Sequence, residues 1–177
     1  MRFRHVVRGG RHVPVADPAW RSPLDGSYAA QRGGRWNPPG SFPVVYLCST
    51  VQVARANVLR RFDGLAYSVL DLLPDRRPVL VETDLREHRA VDLVTDLGCR
   101  AAGLPSTYPH DTDGTEVGWE RCQPVGQIAW AQDEAAIAYR SAAARLGDEG
   151  EELAWLVQGR GDRLRVRRRR SFDDWFA

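Results

Sequence analysis

Arg32-Gly33-Gly34-Arg35-Trp36-Asn37-Pro38-Pro39-Gly40 is the stretch whose residue types best suit chemistry on a charged ligand. Glycine lets a backbone approach a ligand closely, and proline locks φ and removes a donor. A segment this stiff fixes the direction of Arg35 and leaves little entropy to lose on binding. The Arg35 guanidinium is a planar fork of donors that matches a phosphate or pyrophosphate. An ordinary Gly/Pro-rich surface loop with a solvated arginine is the competing reading, because short motifs also match by chance. Asn57 lies beside the apolar stripe of a helix, where it borders a cleft under this loop. Ser141 ends a strand candidate, and Arg4 and His5 sit in a short amino-terminal strand. His12, His88 and His110 share no ligand spacing, so no metal site is expected. Cys48, Cys99 and Cys122 form neither a CxxC pair nor a cluster with histidine, which points to a reduced, cytoplasmic protein.

These residues need elements to position them. Phe3 to Val7 reads as a short strand, followed by a turn-rich segment with prolines at 14, 18 and 23. Leu24 to Arg32 is ambiguous. The apolar run from Phe42 to Cys48, rich in β-branched and aromatic residues, predicts a buried strand. Ser49 or Thr50 is a suitable N-cap, and Val51, Ala54, Val58 and Phe62 recur at helical spacing until Asp63-Gly64. Pro78 to Leu85 predicts a second strand and Ala90 to Leu93 a short third. Residues 98–118, rich in Gly, Pro, Thr and Asp, predict a long loop that forms a lid over the site. A helix from Trp119 to Ala131 tolerates Pro124 only in its first turns. Ala135 to Arg140 predicts a strand, and Leu153 to Gln158 with Arg163 to Arg170 predicts a β-hairpin around Gly159-Arg160-Gly161-Asp162. Strands without regular βαβ alternation argue for an α+β fold, a mainly antiparallel sheet with flanking helices, over residues 1–177 as a single domain.

The hydrophobic fraction of 43% and charged fraction of 27% are those of an ordinary globular chain, and 177 residues suffice for a real core. The charged start Met1-Arg2-Phe3-Arg4-His5 predicts no secretory signal, and no apolar run approaches the roughly 18 residues that span a bilayer. All 25 basic residues are arginine and the net charge is only +2, so any anion site must use arginine, histidine or backbone N–H groups. Within Arg165-Val166-Arg167-Arg168-Arg169-Arg170 the arginines suggest nucleic-acid binding. The competing reading, and the favoured one, is a solvated edge strand whose charges prevent sheet-to-sheet pairing.

Gly33-Gly34-Arg35-Trp36-Asn37-Pro38-Pro39, followed by Val45-Tyr46-Leu47 and a helix, resembles the signature of the RES-domain toxins. Phe3-Arg4-His5 near the start, Asp84, Val91-Asp92-Leu93, Trp119, Cys122-Gln123, Gly126, Trp130, Tyr139-Arg140-Ser141 and the final hairpin match in order, so the resemblance spans nearly the whole chain. The resemblance implies an ADP-ribosyltransferase-like fold, membership of a bacterial toxin–antitoxin pair, and NAD+ as the substrate, cleaved at its nicotinamide–ribose bond. Water, phosphate or a protein would accept the ADP-ribosyl group. It places the family arginine on Arg35, the family serine on Ser141, a second arginine on Arg4 and an aromatic position on His5. Arg4 and Arg35 would grip the pyrophosphate. Ser141 would bond the nicotinamide-side ribose or amide, and Tyr46 or His5 would pack against a ring. A helix-turn-helix antitoxin would contact residues 98–118.

The family glutamate falls on Asn57. An amide holds a ribose hydroxyl but carries no charge, and losing one such electrostatic group costs on the order of 3 kcal/mol, about a hundredfold in rate. Three outcomes follow. Turnover is slow or needs a nucleophile with its own base; a carboxylate such as Glu82, Glu87 or Asp111 substitutes; or the protein binds nucleotide without chemistry.

Overall fold

The computed structural model describes residues 1–143, 150–158 and 164–176. Among these the chain order is β1 (His5–His12), β2 (Val15–Ala16), α1 (Ser27–Arg32), β3 (Val44–Cys48), α2 (Val51–Arg60), β4 (Val79–Leu93), α3 (Asp96–Ala101), α4 (Trp119–Ala131), β5 (Ala136–Arg140), β6 (Glu151–Leu156), β7 (Leu164–Arg170) and α5 (Phe172–Trp175). The strands share one sheet in the order β1-β4-β5-β6-β3, with β2 and β7 also paired to β4. Only the β4–β5 pairing is parallel; the others are antiparallel, as expected for this α+β fold.

Strand β4 is one 15-residue strand where the sequence suggests two. The polar run Arg86-Glu87-His88-Arg89 resembles a gap, but β1 pairs across it from Leu85 to Val91 with a single register shift between Arg8 and Gly10. Backbone bonding to a neighbour thus holds extended a stretch whose side chains give no strand signal.

The predicted hairpin is also overturned. Strand β6 pairs with β3 and β5, whereas β7 pairs with β4 between Leu80 and Leu85; residues 159–163 lie outside the described residues. Burial explains the separation. Glu152 to Leu156 are all buried, which suits a central strand, while Arg165 to Arg169 are exposed and suit an edge.

Alternation along β3 prepares the site. Val45 and Leu47 enter a core with Leu85, Leu153 and Trp155 on one face of the sheet. Val44 and Tyr46 face the other way, against a larger core containing Trp36, Tyr108, Val125 and Tyr139. Helix α2 begins at Thr50, whose hydroxyl accepts from the Val53 N–H at 3.2 Å, and buries Val53, Ala54 and Val58. Val13 exchanges backbone hydrogen bonds with Cys48 at 2.9 and 3.4 Å, which ties the two ends of the sheet path together. The start of the predicted loop is helix α3, capped by Thr95; residues 102–118 then run without helix or named strand. Among the described residues no helix is long and apolar enough to cross a membrane.

Candidate active site

The glycine–proline stretch is held from every side. Tyr46 on β3 donates its hydroxyl to Asn37 Oδ1 at 2.8 Å and accepts from the Trp36 N–H at 3.0 Å. Asn37 Nδ2 donates to the carbonyls of Ala29 and Phe42 at 2.7 and 3.3 Å. The Gly34 N–H reaches Asn37 O at 2.8 Å, and Gln123 on α4 donates to Gly34 O at 3.0 Å. Trp36 and Asn37 are fully buried. Helix α4 comes so close that a Cβ on Gly126 would lie 1.7 Å from Trp36 O, and a Cβ on Gly34 would lie 2.5 Å from the Tyr46 hydroxyl. Trp36 thus belongs to the core, and the stretch clasps rather than flaps.

This clasp aims Arg35. Its side chain is 11% exposed, donates to Val117 O at 3.1 Å and pairs with Glu116. Glu116 also pairs with Arg60 on α2. Burial alone would raise the Glu116 carboxyl, but bonds to Arg35 and attraction by Arg35 and Arg60 hold it below the usual carboxylate range. The loop at 102–118 therefore touches the site, as a lid must, and does so through a carboxylate clamped between two guanidinium groups.

Arg35, Arg60 and Asn57 line one cleft of about 760 Å³. Arg32, Arg61 and Arg76 add charge at exposed positions, and Trp20, Tyr28 and Trp119 add aromatic surface. Trp20 and Tyr28 pack together with ring centroids 4.9 Å apart. Tyr46, Cys48, Tyr139 and Glu152 face the cleft from β3, β5 and β6. Asn57 donates to Cys48 Sγ at 3.6 Å. Burial raises the Cys48 thiol far above its ordinary value, which keeps it neutral.

Arg35, Tyr46 and Asn57 are brought together as the sequence suggests. The Tyr46 hydroxyl is committed to the clasp, however, so its polar end holds protein and not ligand. Ser141 is buried at the end of β5, with its N–H on Gly150 O at 2.8 Å and its Oγ accepting from Ala143 N–H at 3.2 Å; its neighbour Ala142 lines the cleft. Arg4 and His5 are not brought in. His5 bonds Glu134 at 2.9 Å and Arg89 at 3.0 Å in a separate depression, because the strand carrying it pairs with the far half of β4.

None of the three suggested substitute carboxylates reaches the cleft. Glu82 pairs with Arg168 and Arg170, Asp111 pairs with Arg121, and Glu87 is exposed in the depression beside His5. The arginine strand β7 is largely engaged within the protein: Arg167 pairs with Asp84, and Arg169 donates to Arg21 O. That favours the edge-strand reading over nucleic-acid binding. Arg60 and Glu152 of the cleft, and Glu116 that pairs with its arginines, escape the sequence reading. Arg60 follows Asn57 by three residues, a spacing that puts both on one helix face and was there to be read. Glu116 lies in a loop without periodicity. Glu152 precedes the apolar run of β6 and looks like the residue before a strand rather than part of one.

A family model for the RES domain matches residues 10–169. The chain belongs to the RES-domain family. Arg4 and His5 lie outside the span that matches the RES domain, so the family correspondence carries nothing for them. In sequence, this RES-domain chain is 32% identical over 112 residues to the NAD(+) phosphorylase MbcT of Mycobacterium tuberculosis (strain ATCC 25618 / H37Rv) and equally to that of Mycobacterium bovis. That match covers 63% of this chain and 57% of the relative. In structure it resembles a chain of the M. tuberculosis MbcT–MbcA toxin–antitoxin complex, with a TM-score of 0.77 and 23% identity over 97% of this RES-domain chain and 91% of the other.

Proposed function

We propose that this RES-domain chain, read as one domain over residues 1–177, cleaves the nicotinamide–ribose bond of NAD+ and passes the ADP-ribosyl group to phosphate or water. The observation that carries this reading is the Arg35–Glu116–Arg60 arrangement. Two guanidinium groups that line a cleft and already hold one carboxylate between them mark a place built for an anion, and a diphosphate presents more oxygens to the same forks. Phosphorolysis is the first choice of acceptor because the curated relatives are NAD(+) phosphorylases.

The chemistry asks little of an acid. The electron pair of the C–N bond leaves with nicotinamide, which departs neutral. A phosphate or water oxygen supplies the new bond to the ribose carbon, and water loses a proton in doing so. Positive charge on the ribose in the transition state must be stabilised, as in glycoside hydrolysis. Arg35 and Arg60 would orient the dinucleotide by its diphosphate, which supports rate through positioning. The Asn57 amide would hold a ribose hydroxyl, and Ser141 would border the nicotinamide end next to Ala142. The aromatic surface of Trp20, Tyr28 and Trp119 suits a base.

We further read the chain as the toxin of a toxin–antitoxin pair working in the cytoplasm, where NAD+ is at hand and its three thiols stay reduced. An antitoxin laid across residues 102–118 would hold Glu116 in place. A second reading, nucleotide binding without turnover, rests on the uncharged side chain of Asn57. One assay separates the two: NAD+ consumption with product analysis, with and without phosphate, beside calorimetry of NAD+ on the wild type and Arg35→Ala. Nicotinamide release and a large loss of affinity in Arg35→Ala are expected. Binding without release selects the second reading, and no binding at all ends both.

A further inference from the structure

We propose that Glu152 is the catalytic carboxylate of this cleft, supplying from β6 the charge that position 57 lacks, and that it faces the ribose–nicotinamide end of the dinucleotide. The inference rests on the NAD+ reading above and adds to it the group that stabilises the transition state. In the sheet register Glu152 is paired on one side with Cys48 of β3 and on the other with Tyr139 of β5. All three line the cleft, so the carboxylate points toward the space a substrate would fill. Asn57 reaches the same spot from above: its side-chain amide bonds the sulfur of Cys48, the cross-strand neighbour of Glu152. Amide and acid thus flank one residue from two different elements.

The surroundings of Glu152 argue against a purely structural acid. It is 8% exposed, and its hydrogen bond comes from the Tyr139 hydroxyl at 3.1 Å. No arginine or histidine forms an ion pair with it among the described residues, although five arginines line the same cleft. Its one hydrogen-bond donor among these residues is a neutral phenol, so the carboxylate is left for a cation to satisfy. NAD+ brings such a cation. Its nicotinamide ring is positively charged before cleavage, and the ribose becomes so as the bond breaks. The cleft thus offers guanidinium groups for the diphosphate and, at Glu152, an acid for the positive charge. Strand placement also gives precision, because a group on a central strand moves less than one on a loop.

The test is nicotinamide release and NAD+ calorimetry on the full chain as wild type, E152Q and the exchanged pair N57E/E152Q. Gln keeps a partner for Tyr139 and removes only the charge. The expected result is a kcat lowered about a hundredfold or more in E152Q, with Kd within about threefold of wild type. The exchanged pair should regain about tenfold or more, because its acid returns to the other side of Cys48. A purely structural role for Glu152 gives no such recovery, so a folded exchanged pair no faster than E152Q overturns the proposal. So does a folded E152Q that turns over like the wild type. Where E152Q does not fold, E152D decides: it keeps the charge and shortens its reach, so an unchanged kcat overturns the assignment and a reduced one supports it. A wild type that leaves NAD+ intact overturns the proposed function itself, whereas an active wild type with an equally active E152Q overturns only the role of Glu152.

Discussion

Replacing Tyr46 by phenylalanine removes one oxygen from the centre of the clasp. That oxygen accepts the Trp36 N–H and donates to Asn37 Oδ1, and both residues are fully buried. Among the described residues no other bond satisfies either atom, so each is left without a partner. A buried polar group stranded in this way costs about 1–3 kcal/mol, and two of them about 2–6 kcal/mol in a fold whose whole stability is of order 5–15 kcal/mol. With a urea dependence of about 2 kcal/mol per molar, the unfolding midpoint of Tyr46→Phe should fall by roughly 1–3 M. The effect belongs to the hydroxyl and not to its ionisation, because burial pushes the phenol far above its ordinary value. Equilibrium urea unfolding followed by tryptophan fluorescence gives the midpoint, and NAD+ calorimetry on the folded protein gives the functional consequence. A midpoint within a few tenths molar of wild type would refute the claim that this hydroxyl locks the clasp. Unchanged stability together with lost NAD+ affinity would return Tyr46 to the ligand-packing role that the sequence suggests.

Glu116→Gln removes the acid that competes with an incoming anion, so NAD+ should bind about threefold to tenfold more tightly, as expected for two partly exposed ion pairs; calorimetry giving equal or weaker binding would sink the displacement idea. Gly126→Ala places a methyl 1.7 Å from Trp36 O and forces helix and clasp apart, with an expected loss of about 1–3 kcal/mol or more in urea unfolding. Acid should unfold the wild type partly through Asp92. Burial alone would raise this carboxyl, but the Thr95 hydroxyl and the Thr95 and Val94 N–H groups, at 3.0 Å for both N–H contacts, bring it below its ordinary value. A lowered folded-state value means that the unfolded chain takes up the proton first. The contribution is therefore complete above the ordinary aspartate range near pH 4 and disappears as pH falls through the folded value. Asp92→Asn should be less stable at neutral pH and show a flatter decline below pH 4; an unchanged slope would show that other acids control the transition.

Much of the clasp was legible because its signal is local. Gly, Pro and Asn report backbone needs at their own positions, and the spacing of Val51, Ala54 and Val58 reports one helix face. The Phe42–Cys48 run likewise located β3 to within two residues. What stayed hidden depended on partners distant in sequence. Polar residues 86–89 are strand because β1 lies beside them, and β7 pairs with β4 because β6 is buried between β3 and β5. The same holds for the site. Asn57 and Arg35 were visible from local pattern, whereas Glu152 and Glu116 acquire meaning only when sheet register and loop path bring them in. Arg4 and His5 do not line the cleft for the converse reason: strand pairing carries His5 of this locally plausible pair into another depression.

The bridge of Glu116 between Arg35 and Arg60 has a consequence for selectivity. A tenant already occupies the anion seat, tethered to the chain and therefore always at high local concentration. A free phosphate or a short nucleotide has few other contacts with which to evict it. On the proposed NAD+ reading, a dinucleotide that also covers the aromatic surface and reaches Glu152 would bring enough affinity to do so. Resident carboxylate and ligand length would then together set a threshold, below which abundant small anions in a cell leave the seat untouched.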